Sequence, residues 1–361
     1  MILTIGTALW LFRERALPIH SVAVMPFTGP NAELARGLSE ELVDGLARVP
    51  GLRVETDRSV QPPVDAILEA SLERTDSRVR LVLQVNRTDG GRQWSRTFER
   101  PSGELASLWV DAAAYIAPEA RKRARRLKPQ LAAYEPYLEG RAWFVRQDAE
   151  SLNKAIDCFQ RAVNVDPNFA PAWAWLSIAR EYPADSGAVR PNDELPPARD
   201  AAERAVTLGP EIAEAHAALG IVRLQYDWDW PAARRELDRA LQLSPGSKIA
   251  RYWRARWQEA VSKATPHALS FANVPKLDGD AAARKLLEDA DDIRVETYIS
   301  PVALALVANS LHDIDGVFHW LDRAYDERSV QLPYAVWDPA LPRDDPRMAD
   351  LLQRMKLPPT E

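Results

Sequence analysis

Up to about residue 130 the apolar positions are spaced as strands and crossover helices. SVAVMPF (21–27) is a continuous apolar run, the mark of a strand buried on both faces, and Pro26 and Pro30 close it. Asn31 is placed to cap a helix whose Leu34, Leu38, Leu42, Leu46 and Val49 form one stripe. Pro50-Gly51 ends that helix, and LRVET (52–56) is the next strand. Strand, helix, strand in so short a span implies a right-handed parallel crossover. The period then falls to two. Ala66, Leu68, Ala70 and Leu72 alternate with Glu69, Ser71 and Glu73, and Val79, Leu81, Leu83 and Val85 alternate with Arg80, Gln84 and Asn86. Trp94 and Phe98 continue the pattern, with RTDS and TDGG as the hairpin turns between. A helix from about 103 places Leu105, Leu108, Trp109, Ala112 and Ile116 on one face before Pro118 breaks it. The expected unit is an α/β domain, β-α-β-β-β-α, with a mixed sheet.

From about residue 130 the chain reads as helical pairs. KAIDCFQRAVNVDP (154–167), ARDAAERAVTLGP (198–210) and AARRELDRALQLSP (232–245) share an Arg-Ala-(Val/Leu) step, an aliphatic residue two further on, and a closing proline. Pro167, Pro210 and Pro245 lie 43 and 35 residues apart, near the ~34-residue period of tetratricopeptide (TPR) repeats. Gly140 and Trp143 followed by Ala155, Phe159, Ala162 and Pro167 fit a first repeat. Trp173, Leu176 and Ser177 followed by Ala198, Ala202, Ala205 and Pro210 fit a second, with PADSGAVRPNDELPP (183–197) as an unusually long inter-helix loop. His216, Leu219 and Gly220 followed by Ala233, Leu237, Ala240 and Pro245 fit a third. YWRARWQEAV (252–261) begins a fourth, 262–280 reads as loop, a repeat returns at 299–326, and a helix around Asp345–Met355 caps the array. The expected fold is therefore an α/β domain at 18–129 and an all-α TPR-like helical solenoid at 130–361, preceded by an apolar segment at 1–17.

That segment, MILTIGTALWLF, is followed by Arg13, Glu14 and Arg15. As a helix, Ile2–Phe12 spans only about 17 Å against ~30 Å of bilayer hydrocarbon. Three readings stand: the end of a longer transmembrane helix, a shallow membrane anchor through residues 1–12, or a helix docked on the protein itself. Composition narrows the function. The formal net charge of −6 argues against nucleic-acid binding by the whole chain. With Cys158 as the single cysteine, no intramolecular disulfide forms.

The residues also carry a resemblance. SVAVMPF, GLSEELVDGLARVPGLRV and ILEASLERTDSRVRLVLQVNRTDGGRQWSRTFER resemble the TolB-like N-terminal domain of bacterial membrane-anchored TPR proteins. AYEPYLEGRAWF, AEAHAALGIVRLQYDWDWPAARRELDRALQLSP and the run from WLDRAYDERSVQLPYAVWDPALPRDDP onward are similar to the same proteins. In them the module follows a transmembrane helix, with a winged-helix domain upstream in CadC-type regulators, or an adenylate cyclase or kinase domain. The resemblance implies an inner-membrane location with the soluble part in the periplasm, whereas Arg13 and Arg15 favour the cytoplasm by the positive-inside rule. The expected departures from the pattern are a missing upstream effector domain, only SVQPP (59–63) where a helix usually joins the second and third strands, and a deleted or degraded repeat near 262–280.

Candidate chemistry is sparse. RKRARRLK (121–128) is either a contact for anionic lipid headgroups or nucleic acid, or a solvated helix end. YDWDWP (226–231) reads as a helix start capped by Asp229. His312 and His319 lie near Asp313 and Asp315 but match no metal motif, and Cys158 sits on an inward stripe. No GxSxG, P-loop or GxGxxG occurs. No cofactor or small-molecule substrate is expected. The candidate functional surface is the concave groove of the repeats: Tyr134, Tyr137, Arg141 and Phe144, then Ala174, Ile178 and Glu181, then Glu214, Ala217, Ile221 and Leu224. Its mix of apolar and charged residues suits a peptide or protein partner. The expected function is a non-enzymatic interaction scaffold at the membrane, or else the sensory half of a signalling protein lacking its effector.

Overall fold

The computed structural model describes residues 19–49, 51–56, 63–89, 94–101, 131–262, 271 and 273–357. A five-stranded mixed sheet is followed by a helical, TPR-like repeat region. Strands β1 (Ser21–Val24), β2 (Arg53–Glu55), β3 (Ala66–Arg74), β4 (Arg78–Arg87) and β5 (Trp94–Pro101) lie in the order β2-β1-β3-β4-β5. β1 is parallel to both neighbours, with Val22 opposite Val54 and Ala66. The rest is antiparallel, with Leu68 opposite Val85 and Leu81 opposite Phe98. The parallel centre follows from the crossover through α1 (Ala32–Leu46), and the antiparallel side from a tight turn in which the Thr75 N–H donates to the Arg78 carbonyl at 2.8 Å. The expected alternation holds: Ala66, Leu68, Ala70, Leu72, Val79, Leu81, Leu83 and Val85 are buried. They share one hydrophobic cluster with Leu34, Leu38, Leu42 and Leu46 of α1. Asn31 Oδ1 accepts from the Leu34 N–H at 3.0 Å, satisfying an otherwise orphaned donor at the start of α1. The helix expected from about 103 and the basic run 121–128 lie outside the described residues.

The helical pairs are α2 (Leu131–Phe144) with α3 (Ala149–Val165), α4 (Ala170–Asp185) with α5 (Pro191–Leu208), and α6 (Ala213–Val222) with α7 (Trp230–Leu243), followed by α8 (Lys248–Ser262). The small residues of the repeat pattern sit where helices touch. A Cβ on Gly140 would lie 2.7 Å from Phe159 Cε1, and one on Gly220 would lie 2.7 Å from Leu237 Cγ. Asp148 and Asp229 cap α3 and α7, accepting from Ser151 at 2.9 Å and Ala232 at 3.0 Å. Trp228 and Trp230 are buried at that corner.

The long loop expected at 183–197 is instead mostly helix. α4 runs through Pro183 to Asp185, and α5 starts at Pro191 and contains Pro196 and Pro197. Pro191 sits in the first turn, where its missing N–H has no partner to lose. Leu195 and Ala198 are fully buried, and Arg180 pairs with Glu194 at 2.6 Å, so packing onto α4 outweighs the proline cost. The segment expected to be loop as far as 280 gives way to α9 (Gly279–Glu288), followed by α10 (Ala290–Glu296). α11 (Pro301–Ser310) and α12 (Ile314–Asp326) form the returning repeat. A short α13 (Leu332–Ala335) and then α14 (Pro346–Arg354) complete the chain.

The membrane expectation is corrected. Among the described residues no helix is long and apolar enough to cross a membrane, which removes the support for a transmembrane helix and an inner-membrane, periplasmic location. The most apolar helices, α6 and α11, have 10 residues each, about 15 Å against ~30 Å, and their apolar faces pack in the protein core. Residues 1–12 lie outside the described residues.

Candidate interaction site on the inner face of the repeats

Helix α1 has a second face. Gly37, Glu41, Asp44 and Arg48 recur at three- and four-residue steps and so share one side, away from the leucine stripe. That side lies on α2. A Cβ at Gly37 would sit 2.6 Å from the Leu138 carbonyl carbon, so the helices approach at backbone distance. Next to this crossing the Tyr137 hydroxyl donates to Glu41 Oε2 at 2.7 Å, and Arg141 Nη1 donates to the same oxygen at 3.2 Å. Arg141 Nη2 pairs with Asp44 Oδ2 at 2.8 Å. The guanidinium also lies 3.9 Å over the Trp175 ring. At one end of α1, Glu33 pairs with Arg146 at 2.7 Å. At the other, Arg48 pairs with Glu214, and the Gly246 N–H donates to the Ala47 carbonyl at 2.9 Å. The sheet adds Arg74 to Glu135 at 2.9 Å.

This contact buries charge. Three carboxylates (Glu41, Asp44, Glu214) face two guanidinium groups (Arg48, Arg141). Burial, reinforced by Glu214 and Glu41, pushes the Asp44 carboxyl up to about 7 despite Arg141 and Arg48. Burial acts on Glu214 in the same sense, but Arg48 outweighs it and holds Glu214 below the usual range. Burial works against the Arg141 charge, yet Asp44, Tyr137 and Glu41 raise its pKa above the ordinary value. The Tyr137 hydroxyl is raised by burial and by Glu41, so it stays a donor.

The other half of the inner face is closed by the chain's C-terminal segment. Gln331 Nε2 donates to the Asp185 carbonyl at 2.8 Å, and its Oε1 accepts from Ser300 at 3.1 Å and Ser329 at 2.9 Å. The Tyr334 hydroxyl donates to Gln225 Oε1 at 3.3 Å, beneath the Arg256 guanidinium, which lies 3.6 Å over its ring. Gln225 Nε2 gives one hydrogen to Glu181 at 3.2 Å and the other to Asp185 at 3.1 Å. Trp337 Nε1 donates to the Ala260 carbonyl at 2.8 Å. Burial raises Glu181 well above the carboxylate range, helped by Asp185. Burial also raises Asp185, against Arg256.

Every residue expected to line the groove is buried: Tyr134, Tyr137, Arg141, Phe144, Ala174, Ile178, Glu181, Glu214, Ala217, Ile221 and Leu224. Tyr137, Arg141 and Glu214 are brought together under α1. Phe144 meets Trp175 and Tyr182 edge-on at 5.2 and 4.9 Å. Glu181 lies in the network under the C-terminal segment, and the alanines and aliphatics of α4 and α6 lie in the core between helices. The expected groove residues are therefore not an exposed surface. Sequence reading missed the α1 residues Glu41, Asp44 and Arg48, and also Gln225, Arg256, Gln331 and Tyr334. The available signal was Gly37 in register with Glu41 and Asp44. His312 and His319 join no metal-holding cluster, since none of three or more His, Cys, Asp or Glu residues occurs among the described residues. Cys158 is buried, with Arg161 Nη2 3.0 Å from its sulfur, and burial raises its thiol pKa.

No family profile matches this chain. It is 26% identical over 188 residues to "Putative adenylate cyclase 3" of Rhizobium meliloti (strain 1021), a match covering 44% of this chain and 32% of that protein. The chain thus spans about a third of the curated relative's length. Among solved structures it is similar to the first TPR domain of Spaghetti (RPAP3) bound to an HSP90 peptide, at 20% identity and a TM-score of 0.28, covering 36% of this chain and 92% of that one. At that TM-score the likeness carries no argument.

Proposed function

We propose that this chain is a regulatory, partner-binding unit rather than a catalyst, and that its inner repeat face is a recognition surface engaged by its own α1. The observation that carries this reading is Arg141. It is 2% exposed, and α1 supplies both carboxylates that compensate it. A guanidinium buried this deeply is costly unless an acidic partner is present, so the face is built to recognise one. Inner faces of helical repeats act as extended binding surfaces. The relative's name supports the sensory alternative over an always-open scaffold. A stretch shared with about a third of a putative cyclase is what a module attached to an effector would give. The TolB-like nature of the sheet domain and its kinship with CadC-type regulators belong to this proposal.

Two assays test it. The purified chain incubated with ATP and a divalent cation is expected to form no cyclic AMP, and turnover would overturn the non-catalytic part. Proteins captured with the full chain as bait are then purified and mixed back with it. A saturable complex of fixed stoichiometry is expected, and failure of every candidate to reconstitute one would contradict the interaction part.

A further inference from the structure

We propose that the exposed basic ridge of α7 and α8 docks a second copy of this chain, gripping the acidic run 288–296 of that copy in a head-to-tail contact. The ridge is separate from the inner repeat face, and the contact stands whether or not that face takes a partner.

Charge is sorted along this chain. Its formal net charge is −6, yet Trp230–Ser262 holds seven cations and only three carboxylates. Residues 288–296 hold five carboxylates and one cation, Arg294. Packing turns both sets outward. In α7 the buried Ala233, Leu237 and Ala240 put Arg235 and Arg239 on the opposite, exposed side. Asp238 ties α7 to α8, pairing with Arg254 at 2.7 Å and with Arg234 at 3.5 Å. Arg251, one turn before Arg254 on α8, is exposed as well. In α10 the buried Arg294 donates to the Ile299 carbonyl at 2.8 Å and pairs with Glu327 at 2.5 Å. That anchor fixes the helix with Asp291, Asp292 and Glu296 toward solvent, and leaves Val295 80% exposed beside them.

Three observations favour a partner over a merely solvated surface. Arg235 and Arg239 are like charges four residues apart on a helix, as are Asp292 and Glu296, and each arrangement costs stability until an opposite charge arrives. The two sets are opposite in sign, and among the described residues no ion pair joins them within one chain. Val295 is an apolar knob that arginine stems cover while their heads pair with Asp292 and Glu296. A second copy accounts for both surfaces at once, whereas an anionic lipid or a nucleic acid would use the ridge alone. Because ridge and run are different surfaces, the contact repeats head-to-tail. Exposed ion pairs are individually weak, so the association depends on concentration and salt.

Sedimentation equilibrium of the full chain tests this. At about 0.02 M salt the weight-average mass is expected to rise with concentration above the 40.5 kDa of one chain, and at about 0.5 M salt to return to it. Arg235→Glu with Arg239→Glu, and separately Asp292→Arg with Glu296→Arg, are each expected to weaken association about tenfold or more. All four positions are exposed, so the fold is retained, and the salt dependence of the wild-type chain needs no variant. A chain carrying all four reversals keeps the wild-type net charge and is expected to associate again. A wild-type chain that stays at one-chain mass in low salt, a reversal that changes nothing, or a fourfold variant that stays dissociated would overturn the proposal. Ridge-dependent binding to phosphatidylserine vesicles or duplex DNA without self-association would overturn it too.

Discussion

The two halves of the inner repeat face are closed by different chemistry. Under α1 the contact is ionic and carries more carboxylates than guanidinium groups. Under the C-terminal segment neutral hydrogen bonds predominate, around two carboxyls, Glu181 and Asp185, whose pKa values burial raises. Gln331, Ser300, Ser329, Gln225 and Tyr334 exchange hydrogen bonds, Trp337 anchors to a backbone carbonyl, and Arg256 lies on an aromatic face. Apolar filling and neutral hydrogen bonds make a plug that depends little on ion pairing. An ionic contact stays sensitive to protons and salt. On the function proposed above, the C-terminal half is structural and the α1 half carries the recognition.

The largest test of the comparison is Tyr334→Ala. Tyr334 is 1% exposed, and its loss should cost about 3–5 kcal/mol of global stability in urea unfolding, as for other large buried aromatics. A loss below about 1 kcal/mol would mean that the C-terminal half is not a plug. Arg141→Met should cost less, about 3 kcal/mol, because it strands Glu41 and Asp44 while Asp44 keeps 27% of its side chain toward solvent. Adding Glu41→Gln and Asp44→Asn should restore part of that loss, since it removes the stranded charges.

The third test is pH. Asp44 is pushed up to about 7 in the folded chain, and Glu181 and Asp185 are also raised. A carboxyl whose folded pKa lies above its unfolded value stabilises most below the unfolded value, and that stability is lost as pH rises through the folded value. The melting temperature should therefore fall across roughly pH 4 to 7, whereas the contribution of Glu214, whose pKa is lowered, is complete in that range and is lost only at lower pH. Asp44→Asn should flatten the slope. An unchanged slope would remove Asp44 from the account.

The smallest effect belongs to His216, outside both halves. Its ring nitrogens face Glu236 Oε2 at 2.7 Å and the Pro210 carbonyl at 2.9 Å, and the hydrogen bond with Glu236 leads in raising its pKa. Its contribution is present below about pH 6.5 and lost as pH rises through the folded value. Glu236→Gln should lower that value in an NMR titration and cost under about 1 kcal/mol.

The fold was legible where one face of an element decides its place. Leu68 and Leu83 alternate because a single face is buried, and Gly140 and Gly220 are small because a neighbouring helix needs the space. The site was legible only in part. Tyr137, Arg141 and Glu214 were placed on the inner face by their repeat positions. Glu41 and Asp44 look like solvated helix residues, because the guanidinium that compensates them is about a hundred positions away. The C-terminal plug was hidden for the same reason, since Tyr334 meets Gln225 across 109 positions. The loop expected at 183–197 failed differently, because local proline signals were outweighed by burial of Leu195 and Ala198 that local sequence does not encode.

The most direct test of the central claim, that the repeats hold α1 through Arg141, is a double-mutant cycle between Arg141→Met and Asp44→Asn. Urea unfolding of wild type, both single variants and the double variant gives the coupling energy. The account predicts coupling of about 1 kcal/mol or more, as for residues in contact. Additivity within about 0.5 kcal/mol would mean that the two side chains do not meet, and would contradict it.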